Sequence, residues 1–153
     1  MEVARTKRGI SICQMKYALE LLDGVGLLGS KPVNFPMDTH SKLSKDDGEL
    51  LQDGTSYGRL IGKLLYLTTQ DRPDITFSVH HSSQFLDQPQ VPHMQAALRV
   101  LKYIKKAPGQ ELFFSASSSI HIKAFADLDW ASCPDPRRSV SGFCVFIGDS
   151  LVS

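Results

Sequence analysis

Three sets of residues have the types and spacing to do chemistry. Asp127 and Asp129 stand at the end of a strand pattern, and carboxylate oxygens are the ligand type that hard divalent cations take. Two-metal phosphoryl chemistry wants several carboxylates around two ions about 3.5–4 Å apart, which one aspartate cannot supply. His80, His81 and His93 could make a metal site with Asp74 or Cys13. Adjacent helical residues, however, point about 100° apart, and no histidine pair at i, i+4 occurs. A polar helix face or a packing histidine is the expectation. Arg99, Lys102, Lys105 and Lys106 could track a nucleic-acid backbone, which needs cations and no base-reading geometry. The same four suit a solvated face at the negative end of a helix dipole. Arg137 and Arg138 are a weaker case of the same kind. The serine-rich stretches, Ser82-Ser83 and Ser115 to Ser119, carry no GxSxG elbow, and no glycine-rich phosphate loop is present.

The elements that must position these groups follow from periodicity. Tyr57, Leu60, Ile61, Leu64 and Leu65 fall on one helical stripe. After Asp71-Arg72-Pro73, Ile75, Val79, Ser82 and Leu86 share a face; after Pro89 and Pro92, Ala97, Val100, Leu101 and Ile104 form a third stripe. Three amphipathic helices with short links bury their stripes against each other. Asp53 or Thr55 can cap the first, and Pro73 suits the first turn of the second. Upstream, residues 1–8 read as a frayed charged end, Gly9 to Cys13 as a short strand, and Gln14 to Asp23 as a helix buried through Met15, Ala18, Leu19 and Leu22. Gly29 to Ser56 has no period and reads as a long surface connector. Past Pro108 the period becomes two: Glu111 to Ala116, Ile120 to Ala126 and Gly142 to Ile147 read as strands, with another begun at the C-terminus.

The 153 residues are 42% hydrophobic and 22% charged, as in an ordinary globular protein. The net charge of +1 is uneven, since residues 57–107 hold seven Lys/Arg against three Asp/Glu. Cys13, Cys133 and Cys144 are an odd set without paired spacing, which points to thiols in a reducing compartment. No signal peptide and no apolar run of the ~18–20 residues that span a bilayer is present. The expectation is a soluble intracellular chain, with nucleus, cytoplasm and organelle left open.

The run Tyr57 to Thr68 (YGRLIGKLLYLT) resembles a segment of copia-type retrotransposon Pol polyproteins. So do, in the same order, Arg72 to Ile75 (RPDI), Ser83 to Phe85, Pro89 to His93, Arg99 to Lys105, Phe125 to Ala131 and Arg137 to Phe143. Upstream, Ile12 to Ala18 resembles the segment after the reverse transcriptase palm. The resemblance implies an α+β fold: a helical thumb- and connection-like bundle followed by a truncated antiparallel piece of a ribonuclease H-like domain. It divides the chain into 1–28 (end of the reverse transcriptase and first thumb-like helix), 29–56 (irregular connector), 57–110 (helical region) and 111–153 (incomplete ribonuclease H-like strands). It implies that Asp127 is a vestigial first ribonuclease H carboxylate, whose companions and whose Mg²⁺ belong to the intact family. The YVDD-type polymerase motif is absent from this sequence.

The expectation is therefore a non-enzymatic fragment without a cofactor of its own. Its partners would be an RNA–DNA or DNA duplex, held weakly, and the missing polyprotein domains, with no membrane and no small-molecule substrate. The alternatives are a host-retained protein-interaction module, docking through an exposed strand edge at Gly142 to Ser153, and a relic without function.

Overall fold

The computed structural model describes residues 1–38, 43–45, 48–129 and 140–152. The architecture is α+β, with helices and two three-stranded antiparallel sheets. The core is the expected helical one. Helix α1 (Met15–Gly24) leads through the connector to α2 (Gly54–Gln70); a 3-10 turn (Pro73–Ile75) then opens α3 (Thr76–Ser83), and α4 (Val91–Ile104) follows. Tyr57, Leu60, Ile61, Leu64 and Leu67 of α2 pack with Ile75, Val79, Ala97, Val100, Leu101 and Ile104. Asp53 caps α2 by accepting from the Thr55 N–H at 2.9 Å, which satisfies one of the four orphan donors of the first turn. Tyr57 fastens α2 to α3, its buried hydroxyl donating to the Ser82 carbonyl at 2.7 Å.

Several expected faces are rotated. In α1 the buried set is Ala18, Leu21 and Leu22, while Met15 is 43% exposed and Leu19 only partly covered. A ten-residue helix holding three leucines fits more than one stripe, and contact with the bundle selects Leu21. After α3 it is Phe85, not Leu86, that is buried, because the helix has ended at Ser83 and the 3.6-residue period no longer applies.

The N-terminus is a strand rather than a frayed end. β1 (Glu2–Thr6) pairs with β2 (Gly9–Cys13) in the register Glu2↔Cys13 to Thr6↔Gly9, across a two-residue turn. All five β1 residues are exposed, so no hydrophobic alternation announces the strand, and the ladder with β2 holds it. β3 (Leu112–Ser115) pairs with the other side of β2, Ile12↔Leu112 to Gly9↔Ser115. A boundary at 111 therefore cuts through this sheet: alternation identifies a strand without naming its neighbour. Gly9 lies at φ 154°, and a Cβ there would run into the Phe114 carbonyl oxygen.

The second sheet has the order β4 (Ile122–Asp129), β5 (Val140–Ile147), β6 (Ser150–Leu151). Within the stretch Gly142 to Ser153, expected as an open edge, β5 is the central strand, paired along its length with β4 on one side and on the other with β6 at Phe146 and Ile147. Among the described residues no strand pairs with the outer side of β4, and the ladder with β6 leaves Val140 to Cys144 of β5 unpaired on that side. No helix among the described residues is long and apolar enough to cross a membrane.

Candidate nucleic-acid interface

The four candidate cations lie on and just after α4, and the connector decides what each can do. Residues 30–34 run beside the C-terminal end of α4. The Val33 N–H donates to the Lys102 carbonyl at 3.3 Å. The Lys105 ammonium donates to the Ser30 carbonyl, and the Lys106 ammonium to Asn34 Oδ1 at 2.9 Å. Farther along, the connector reaches the N-terminal end of the same helix. There Gln90 Nε2 donates to the Lys45 carbonyl at 2.6 Å, the Val91 N–H to Glu49 and the Leu51 N–H to Pro89, both at 2.9 Å. What reads as an aperiodic loop is a strap tied to both ends of α4. Apart from Asn34 Oδ1, the strap's own side of these ties is single backbone groups, which leave no pattern in the sequence.

Arg99 and Lys102 both line a cavity of about 500 Å³ between the strap and helices α3 and α4; what sets Arg99 apart is its Nε, which is buried without a hydrogen-bond partner among the described residues. Lys102, Lys105 and Lys106 stay together at i, i+3 and i+4, neighbouring positions on a helical surface. An ammonium has three donors; the strap takes one from Lys105 and one from Lys106. Among the described residues no carboxylate pairs with any of the three. The arrangement is a cluster of three ammonium groups with donors to spare. Arg137 and Arg138 fall outside the described residues.

His93 is fully buried and stacks on Phe85 with ring centroids 3.9 Å apart. Its Nδ1 accepts from the Gln90 N–H at 3.0 Å, and its Nε2 lies 2.9 Å from the Ser44 carbonyl. A carbonyl only accepts, so the ring is the neutral Nε2–H tautomer, occupied at both nitrogens. It pins the strap and has no lone pair left for a metal. His81 is half-buried beside the cavity, and burial, with the His93 ring second, holds its pKa below 6.5.

The RPDI stretch is a structural device that the sequence did not disclose. Arg72 is 2% exposed; its Nε and Nη2 donate to the two oxygens of Asp74 at 2.9 Å each, and its Nη1 reaches the Ala107 carbonyl. The guanidinium stands 5.8 Å from the Tyr103 ring centroid. Next to it, buried Asp71 accepts from Gln14 Nε2 at 3.3 Å, and burial raises its carboxyl pKa against that bond. An arginine two residues from an aspartate reads as a surface pair; only the fold places it between the end of α2 and the end of α4.

Asp127 lies exposed on β4. Among the described residues no three His, Cys, Asp or Glu side chains converge on a common point. A two-metal centre needs several carboxylates around two ions, and the described residues bring no such set to Asp127. Cys13 is half-buried and Cys144 exposed, both free thiols, while Cys133 lies outside the described residues.

With the helical core, the two sheets and the cation cluster defined, comparison with known proteins places the chain. Its homologues at 31–35% identity over the whole chain are retrovirus-related Pol polyproteins from copia-type transposons. It is 35% identical over 153 residues to the Pol polyprotein from transposon RE1 of Arabidopsis thaliana, an alignment covering 100% of this chain and 10% of that polyprotein. Two uncharacterized mitochondrial proteins of the same plant are also similar. One is 33% identical over 95% of this chain and 60% of its own length; the other is 54% identical over 54% of this chain and 74% of its own. The chain thus spans about a tenth of the length of the RE1 polyprotein. No family model matches it, and no solved structure does.

Proposed function

We propose that this chain is the junction piece of a copia-type Pol polyprotein. In this reading its helical region is thumb- and connection-like, and its second sheet opens a ribonuclease H-like domain. It performs no catalysis of its own and holds an RNA–DNA or DNA duplex weakly and without sequence preference. The observation that carries the reading is the cluster of Lys102, Lys105 and Lys106 at the end of α4, kept together by the strap and unpaired with carboxylates among the described residues. Asp127 has a positional role only, as a strand residue.

The test is fluorescence anisotropy of the purified chain with an RNA–DNA hybrid, titrated from low to physiological salt. Three phosphate contacts give a log–log slope of about −3, from roughly −0.9 per contact. Lys102→Gln with Lys106→Gln should bring the slope to about −1, the two lost contacts being additive in the same relation. Binding that keeps its slope in the double variant would place the polyanion surface elsewhere, and no binding at low salt would remove the proposal.

A further inference from the structure

The cavity between the strap and helices α3 and α4 has the make-up of a small-ligand site. Its volume of about 500 Å³ exceeds the voids that close packing leaves in a protein interior and falls in the range that small molecules occupy. Much of the wall is apolar: Val33, Met37 and Leu43 come from the strap, Ala96 and Val100 from α4. Arg99 and Lys102 bring two positive charges to the lining, and Asp38, which has an interaction of its own, brings one negative charge. Burial keeps the His81 ring neutral at neutral pH, so the balance in the cavity is positive. Arg99 is the telling residue, and Arg72 shows why. Arg72 engages Nε, Nη1 and Nη2 within the protein. In Arg99, among the described residues, the buried Nε has no hydrogen-bond partner and no carboxylate pairs with the guanidinium. A guanidinium is all donor, and a donor withdrawn from water without an acceptor is costly.

We propose that the cavity binds a small organic anion: a carboxylate, or an oxyanion of similar shape, on an apolar or aromatic body. It is held as a ligand rather than turned over as a substrate. Arg99 takes the head group with its planar guanidinium, which suits a two-oxygen acceptor, and Lys102 adds its charge. The body lies against Val33, Leu43 and Val100, so the ligand joins strap to helix beside the hydrogen bonds that already tie them. A bare inorganic anion would leave that apolar wall uncovered. A neutral apolar molecule would leave Arg99 without its acceptor. The residues named here lie on this chain's own strap and α4, so the site is made by contacts within the chain. Arg99 takes no part in the duplex-binding reading, and either inference can fail alone.

The test is isothermal titration calorimetry of the full chain with 2-naphthoate, with its neutral counterpart 2-naphthamide, and with inorganic phosphate. 2-Naphthoate should bind at a single site with a Kd of about 1 mM or tighter. The amide and phosphate should each bind at least about tenfold more weakly, since each lacks one half of the recognition. Arg99→Met keeps an apolar stem and removes the unpaired donors. It should weaken 2-naphthoate at least about tenfold while its urea midpoint stays at or above that of the wild type. Bound 2-naphthoate should also slow proteolysis within residues 29–53, because it lies against the strap. A wild type that does not bind 2-naphthoate overturns the proposal. So does the amide bound as tightly as the acid, which would make the site apolar only, or phosphate bound as tightly, which would make it an anion site only. A folded Arg99→Met that binds like the wild type, or binding that leaves proteolysis of the strap unchanged, would place the ligand elsewhere and overturn it too. The comparison of acid with amide is made on the wild type and decides the matter even where the variant fails to fold.

Discussion

Arg72 and Asp74, two positions apart, are locked in a two-pronged pair, Nε to Oδ1 and Nη2 to Oδ2, both at 2.9 Å. The Arg72 side chain is almost wholly withdrawn from water, and that of Asp74 is 21% exposed. Taking a guanidinium out of water is costly, and the fork to Asp74, the Ala107 carbonyl and the Tyr103 face offset the cost. Arg72→Ala strands Asp74 and the carbonyl and should destabilise by about 3–5 kcal/mol. Arg72→Lys keeps the charge but loses the planar fork and should cost about 1.5–3 kcal/mol. Urea unfolding of both variants checks the order; equal costs would mean that the planar fork alone matters and the retained charge contributes nothing.

His93 is the hinge pin of the strap. His93→Phe fills similar space against Phe85 but deprives the buried Gln90 N–H of its acceptor, at about 1–3 kcal/mol. It also frees the strap from Nε2. Limited proteolysis should cut within residues 29–53 faster in the variant than in the wild type, with α2 to α4 unaffected.

Acid should weaken the fold through His81. Its folded-state pKa lies below the ordinary 6.5 because burial disfavours the charged ring, so the unfolded chain takes up the proton first. Stability is full above about pH 6.5 and is lost as pH falls towards the folded pKa. Urea midpoints at mildly acid and neutral pH should differ less in His81→Gln than in the wild type.

Tyr57 gives the opposite limb. Burial pushes its hydroxyl up to about 12, so from about pH 10 the unfolded chain ionises more readily and stability falls. Tyr57→Phe should cost about 0.5–1.5 kcal/mol at neutral pH, the net worth of one hydrogen bond. Because the variant lacks the alkaline loss, the gap to wild type should close as the pH rises, which denaturant titrations in alkaline buffer would read.

What the sequence disclosed and what it withheld divide along physical lines. Tyr57, Leu60, Ile61 and Leu64 were legible because a long helix repeats its buried face, and Asp53 because caps act over two residues. β4 and β5 announced themselves by alternation. The cation cluster was legible as charge, but the burial of the Arg99 Nε was not, because it depends on packing that only the fold supplies. β1 was hidden because none of its residues is buried. The strap, the Arg72 fork and the pairing of β2 with β3 were hidden because each joins groups far apart in the chain through contacts that impose no local period.

The strap also bears on when the fold can be completed during synthesis. Ser30 and Lys105 are 75 residues apart, yet the strap settles only on a finished α4. At ribosomal rates of about 5–20 residues per second, Ser30 leaves the exit tunnel roughly 4–15 s before Lys105, to which it is tied. For that interval the nascent strap is a solvated tether, open to proteases and chaperones, and its ties to α4 form only as the last turns of the helix emerge.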